Sequence, residues 1–261
     1  MDDVLYERDG DRFLPTQFTR GPWSREHQHA GPPAALLARA LEGTSRLEAG
    51  QTVRASFDIL RPVPIAPLTV VTRVLRPGRN VEQLEAVLAA DGVEVMHARA
   101  WRMRLADVPL PDGLDDPFPG PAPPEDCAEA GRPGFFGEGT SYFDGLEWRF
   151  LLGSFEEPGP AVCWTRMKVD LVDGEPITPL QHLLVMGDAA SGISSALDWR
   201  TWTFINVDLS VVLERPPVGD WLAMDAETRF AGVGAAASLG TYADRTGRVG
   251  TSSQALLVLP R

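Results

Sequence analysis

The chain has 261 residues, 44% hydrophobic and 23% charged, proportions that suit a folded globular protein with one large core or two ordinary ones. A formal net charge of −12 argues against nucleic acid or an anionic membrane as the main partner, because both would repel it; a local basic patch for an anionic ligand stays compatible with it. The only cysteines, Cys127 and Cys163, are too few for a disulfide framework or a thiolate metal site and predict a reduced, cytoplasmic protein.

The first residues, MDDVLYERDGDRF, lack the basic and apolar regions of a signal peptide, and no run approaches the ~18 apolar residues of a membrane span. The stretch HQHAGPPAALLARA follows at residues 27–40. Gly31 suits a helix N-cap, Pro32 and Pro33 suit the first turn, and the apolar residues beyond predict a buried helix over 33–42. Four strands are expected next, at 51–61, 67–76, 79–90 and 93–104, with ADG as a tight hairpin turn. Proline and glycine dominate residues 105–140, which read as a low-structure linker.

Beyond the linker, EWRFLLG and AVCWTRMKV predict two strands, and residues 180–190 a second buried helix. Strands at 201–213, 220–231, 233–243 and 249–258 complete the chain. The halves repeat each other: Arg61-Pro62 aligns with Arg215-Pro216, and Asp91-Gly92 with Thr246-Gly247 one insertion later. A buried helix followed by a long antiparallel sheet, present twice, predicts an α+β body built by duplication.

The succession GPPAALLARALE, SFDILRP and RPGRNVEQLEAVLAADGVEV, then INVDLSVVLERP and GTSSQALLV, resembles the double-hotdog acyl-CoA thioesterases of the TesB type. The resemblance implies a tandem hotdog, each repeat a long antiparallel sheet around a central helix: an N-terminal hotdog over 1–108, a linker over 109–140 and a C-terminal hotdog over 141–261. It also implies hydrolysis of acyl-CoA or acyl-carrier thioesters without a cofactor. Asp208 stands at the family's aspartate position and Gln254 at its glutamine position, to activate and position a water. The family's hydroxyl has no counterpart, since a gap-free placement falls at Gly232 and Val233, while Thr228 and Ser238 require a register change. In the first half Arg54 and Arg99 occupy the corresponding positions, which implies one polar centre and one arginine-lined pseudo-site.

Thioester hydrolysis needs a positioned water, a base and donors for the developing oxyanion. A helix N-terminus supplies such donors, and Gly31 N–H is the expected one, facing the carboxylate of the other repeat. His29 is expected beside the entrance in contact with substrate, Arg76 and Arg79 at the coenzyme A phosphates, and Trp202 with Trp23, Phe57, Trp199 and Phe204 along an acyl tunnel. His27 and His29 have no further ligand cluster near them in sequence, so no metal site is expected. Two other functions fit the same scaffold: a non-catalytic acyl-binding module, and a hydratase or dehydratase of acyl thioesters, which would require a histidine paired with a carboxylate. Pairing of edge strands makes a homo-oligomer compatible with the pattern.

Overall fold

Period-two alternation of apolar and polar residues carries most of the chain into strands, and two apolar segments form the helices they enclose. The computed structural model describes residues 3–114 and 120–261; the parts of the expected N-terminal unit and linker at residues 1–2 and 115–119 lie outside them. The first half comprises β1 (Val4–Asp9), β2 (Arg12–Pro15), α1 (Gly31–Thr44), β3 (Gly50–Ile59), β4 (Leu68–Arg76), β5 (Val81–Ala90) and β6 (Val93–Arg104). The second comprises β7 (Ala128–Glu129), β8 (Leu146–Leu152), β9 (Ala161–Met167), β10 (Asp170–Val172), α2 (Pro179–Gly187), α3 (Ala190–Ile193), β11 (Trp202–Asn206), β12 (Asp208–Leu213), β13 (Leu222–Phe230), β14 (Ala235–Asp244) and β15 (Gly247–Pro260).

All the described strands join one sheet in the order β10-β1-β2-β4-β5-β6-β3-β12-β15-β14-β13-β9-β8-β7, with β11 also on β15. Its two halves meet at β3 and β12, which run antiparallel with Ser56 opposite Ser210. The sheet encloses α1 and α2, whose Leu36, Leu37, Leu183 and Leu184 are wholly buried with Phe57, Leu84, Met96, Met224 and Tyr242 of the strands. This is the double-hotdog α+β architecture.

Three features depart from the expected pattern. The N-terminal hairpin is an added piece, and β1 pairs parallel with β10 of the second half. Residues of the Pro/Gly-rich stretch are folded: β7 extends the sheet beside β8, and Trp164 Nε1 donates to the Ala122 carbonyl at 2.7 Å. The strand expected over 201–213 is divided at Val207, where the register against β15 slips from Asn206–Leu256 to Ser210–Ser253. That slip is one residue, a bulge, and bulges re-aim the side chains beside them.

Candidate active site

The site forms where α2 stops. Thr178 and Gln181 cap its start by a reciprocal pair of side-chain bonds. At its end, Gly187 packs against the Tyr242 hydroxyl, in space that a Cβ would fill. The helix does not continue regularly through Asp188: Ala189 N–H bonds the Met186 carbonyl at 2.9 Å, and α3 begins at Ala190. The Val185 carbonyl, released from helical bonding, accepts the Tyr142 hydroxyl at 2.7 Å.

Asp188 lies at this break with its side chain only 4% exposed. Asn206 Nδ2 donates to its Oδ1 at 2.6 Å, and Gln254 Nε2 reaches the same oxygen at 3.3 Å and the Asp188 carbonyl at 3.2 Å. His29 Nδ1 stands 3.0 Å from Oδ2. The Ala30 N–H, at the start of α1, also donates to the carboxylate. Burial alone would raise the carboxyl pKa, but His29, Asn206 and Ala30 together hold it below the usual aspartate value, so it is ionised.

Each donor is itself fixed. The His29 ring stacks on Tyr142, with centroids 3.7 Å apart and planes 3° apart, and its backbone N–H bonds the Thr19 carbonyl at 2.8 Å. Gln254 Oε1 accepts the Ser191 N–H at 3.3 Å. Asn206 shares its amide between Asp188 and the Asp208 carbonyl, the latter at 3.1 Å.

A cleft of about 810 Å³ opens over this cluster, with His29, Ala30, Asp188, Ser191 and Asn206 in its wall. Trp23, Val63, Trp199 and Phe204 give it an apolar side, and its cations are Arg61 and Arg200. The Ser191 hydroxyl bonds no described residue and belongs to the same wall.

The sequence-derived candidates divide accordingly. His29 and Gln254 meet at Asp188, which sequence reasoning did not single out. Asp208 stands apart from the cleft wall: its Oδ1 accepts the Ala255 N–H at 2.6 Å, and the bulge at Val207 brings Asn206 to the site instead. Gly31 N–H is directed at His29 Nδ1, at 3.3 Å, and Ala30 N–H reaches the carboxylate. Arg76 donates to the Val81 carbonyl at 3.2 Å in the β4–β5 hairpin, and neither it nor Arg79 reaches the cleft. Trp202 and Phe57 are outside the wall, Phe57 being wholly buried. Thr228 bonds Ser194 at 2.7 Å, and the Ser238 hydroxyl is enclosed without a partner.

His182 is buried against Thr165 at 2.8 Å, and burial lowers its pKa to about 3. His97 pairs with Glu94 at 2.8 Å. Among the described residues no group of three or more histidines, cysteines and carboxylates is placed to hold a metal.

The first half carries a filled counterpart. Gln181, at the start of α2, faces Glu42 near the end of α1, as Ala30 faces Asp188. Arg102 occupies this place, with its Nε 3.7 Å from Glu82. Burial raises the Glu42 pKa, opposed by Arg102 and Gln181. Arg54 is exposed and Arg99 pairs with Glu85 at 3.0 Å, so neither of the arginines expected there lies at this place.

A double hotdog with a buried, donor-rich carboxylate beneath an apolar cleft defines the class of acyl-handling hotdog proteins. Residues 19–103 match the acyl-CoA thioesterase N-terminal domain and residues 124–258 the acyl-CoA thioesterase C-terminal domain. The chain belongs to the acyl-CoA thioesterase family, whose enzymes hydrolyse thioesters. No curated protein matches it in sequence. Among solved structures, a hotdog-fold protein of unknown function from Alicyclobacillus acidocaldarius is similar over 99% of this chain and 97% of its own, with TM-score 0.76 and 16% identity. A tesB protein from Mycobacterium avium subs paratuberculosis covers 98% and 96%, with TM-score 0.71 and 20% identity. An acyl-CoA thioesterase II from Mycobacterium marinum covers 98% and 96%, with TM-score 0.70 and 18% identity. Among the described residues no helix is long and apolar enough to cross a membrane.

Proposed function

We propose that the chain hydrolyses acyl-CoA thioesters in the cleft over Asp188, with residues 1–108 and 141–261 as its two hotdog units and 109–140 as their connection. The observation that carries this reading is the buried Asp188 carboxylate, held by His29, Asn206 and Gln254 in the wall or floor of an apolar cleft. The carboxylate of the site is Asp188 rather than Asp208, and Gln254, itself buried, acts by holding that carboxylate in place. The acyl chain lies along Trp23, Val63, Trp199 and Phe204, and Arg61 and Arg200 receive the anionic part of the carrier. Ser191 Oγ donates to the developing oxyanion, since Ser191 belongs to the cleft wall and Gly31 does not.

The test is a panel of acyl-CoAs of varied chain length, assayed for free thiol, with Asp188→Asn alongside. Turnover by the wild-type chain, falling at least ~10²-fold in the variant, supports the reading. Saturable binding without turnover of any thioester would make the chain an acyl-binding module. One observation favours a second reading, hydration or dehydration of acyl thioesters: the required histidine–carboxylate pair exists, as His29 and Asp188. Loss of the enoyl absorbance of a 2,3-unsaturated acyl-CoA, without thiol release, distinguishes that activity.

A further inference from the structure

We propose that His29 is a catalytic residue of the hydrolysis, its Nε2 taking the proton from the attacking water while Nδ1–H stays bonded to Asp188. The proposal rests on the hydrolytic reading above. Its first support is the bonding of the carboxylate. Asp188 already accepts from Asn206, Gln254, His29 and Ala30, so its lone pairs are committed to fixed donors. A carboxylate stabilised in this way is a weak proton acceptor and a strong orienting group.

The tautomer supplies the second support. Nδ1 faces both Asp188 Oδ2 at 3.0 Å and Gly31 N–H at 3.3 Å, and one nitrogen cannot donate to the first while accepting from the second. The nearer, ionised and buried carboxylate is the stronger partner, so Nδ1 carries the proton and Nε2 the lone pair. Among the described residues nothing bonds Nε2, it is not enclosed, and the ring belongs to the cleft wall. Stacking on Tyr142 fixes the ring plane, and Tyr142 is in turn anchored to Val185. The imidazole comes from the first repeat and its orienting carboxylate from the second, so neither half contains the dyad alone.

In the step, a water proton passes to Nε2 as the water oxygen bonds the acyl carbon and the carbonyl electron pair moves to oxygen. When the intermediate collapses, the C–S bond breaks and the sulfur takes the proton from Nε2–H. The products are a carboxylic acid and a thiol, with neutral imidazole restored. No oxidant, metal or covalent acyl-enzyme is needed.

The experiment compares wild type, His29→Gln and His29→Ala on the best acyl-CoA of the panel, measuring kcat and KM across pH. Glutamine still donates to Asp188 but cannot carry a proton between steps. The expected result is a fall in kcat of about 10²–10⁴-fold with KM little changed, and loss of the acid limb of the kcat/KM profile. Among the described residues Asp188 and Tyr142 are the titratable groups in contact with the ring, so Tyr142→Phe, which keeps the stack, must retain that limb. Added imidazole should restore part of the rate to His29→Ala, which a purely structural histidine would not permit. A folded His29→Gln with wild-type kcat and an unchanged acid limb overturns the proposal and leaves the hydrolytic reading standing. Absence of thioester turnover by the wild-type chain removes both.

Discussion

Gly31 lies against the main-chain carbonyl of Val185, with no space between α1 and α2 for a Cβ. This approach brings the start of one helix to the end of the other and sets Ala30 and His29 beside Asp188. Gly31 is therefore first a packing residue. Gly31→Ala should lower stability by about 1–3 kcal/mol, the usual cost of overfilling a packed contact. Urea unfolding checks this, and a variant as stable as wild type would refute the close-approach role.

The two aspartates Asp188 and Asp208 should behave oppositely. Asp188→Asn replaces an ionised acceptor of several donors by an amide with donors of its own, so activity should fall at least ~10²-fold. Asp208 bonds the Ala255 N–H outside the cleft wall. Asp208→Asn should leave kcat within about threefold and alter stability by at most about 1 kcal/mol. Thiol-release kinetics on both variants decide the matter, and a large loss at Asp208 alone would reverse the assignment.

Acid sensitivity follows from carboxylates held below their ordinary pKa, Asp244 and Asp188 among them. For Asp244 burial acts upward, but Arg215, Thr246 and the Val218 N–H outweigh it and bring the value to about 2. Asp188 is lowered too, by His29, Asn206 and Ala30 against burial. A folded-state pKa below the unfolded one contributes stability that is complete above the unfolded value and vanishes as pH falls through the folded one. For Asp244 the window runs from about 4 down to about 2. Stability should decline across it, and Asp244→Asn should flatten the decline while costing about 2 kcal/mol at neutral pH. Urea midpoints measured between pH 2 and 7 test this; parallel curves for variant and wild type would oppose it.

How much of this was legible in the chain depends on the distance over which each signal acts. β3 to β6 fall within two residues of their expected bounds, because alternation and the Asp91-Gly92 turn are local. The helix start at Gly31-Pro32-Pro33 is local too, and so is the HQH stretch that holds His29, whereas Gln254 follows from the family resemblance. Asp188 is hidden, since it falls in the last turn of the buried helix expected over 180–190; the signal present is a charged residue followed by small ones, which marks a break. Asp208 is the expected carboxylate because the resemblance sets it at the family's aspartate position. Nothing local announces the bulge at Val207, which exchanges it for Asn206 and depends on pairing with β15 far along the chain. The hairpin β1–β2 was missed because its acidic residues conceal the alternation, and its partner β10 lies in the other half.

The cations of the cleft predict how the carrier is held. Arg200 lies 5.3 Å over the Trp199 ring, and Arg61 belongs to the same wall, whereas Arg76 and Arg79 are committed to or near a distant hairpin. Glu156, Glu157 and Asp198 belong to the same wall, so the mouth carries more negative than positive groups. Removing either arginine should therefore weaken a coenzyme A thioester more than the loss of one contact alone, because the acids lose their counter-charge. Arg61→Ala and Arg200→Ala should each raise KM for acyl-CoA about 5- to 10-fold with kcat nearly unchanged, the mark of lost uniform binding. The same variants should leave KM for an acyl thioester of N-acetylcysteamine, which has no phosphate, within about twofold. Arg76→Ala and Arg79→Ala serve as controls and should change neither substrate. Equal effects on both substrates would place Arg61 and Arg200 with the apolar wall, and an effect of the hairpin variants would return the phosphates to Arg76 and Arg79.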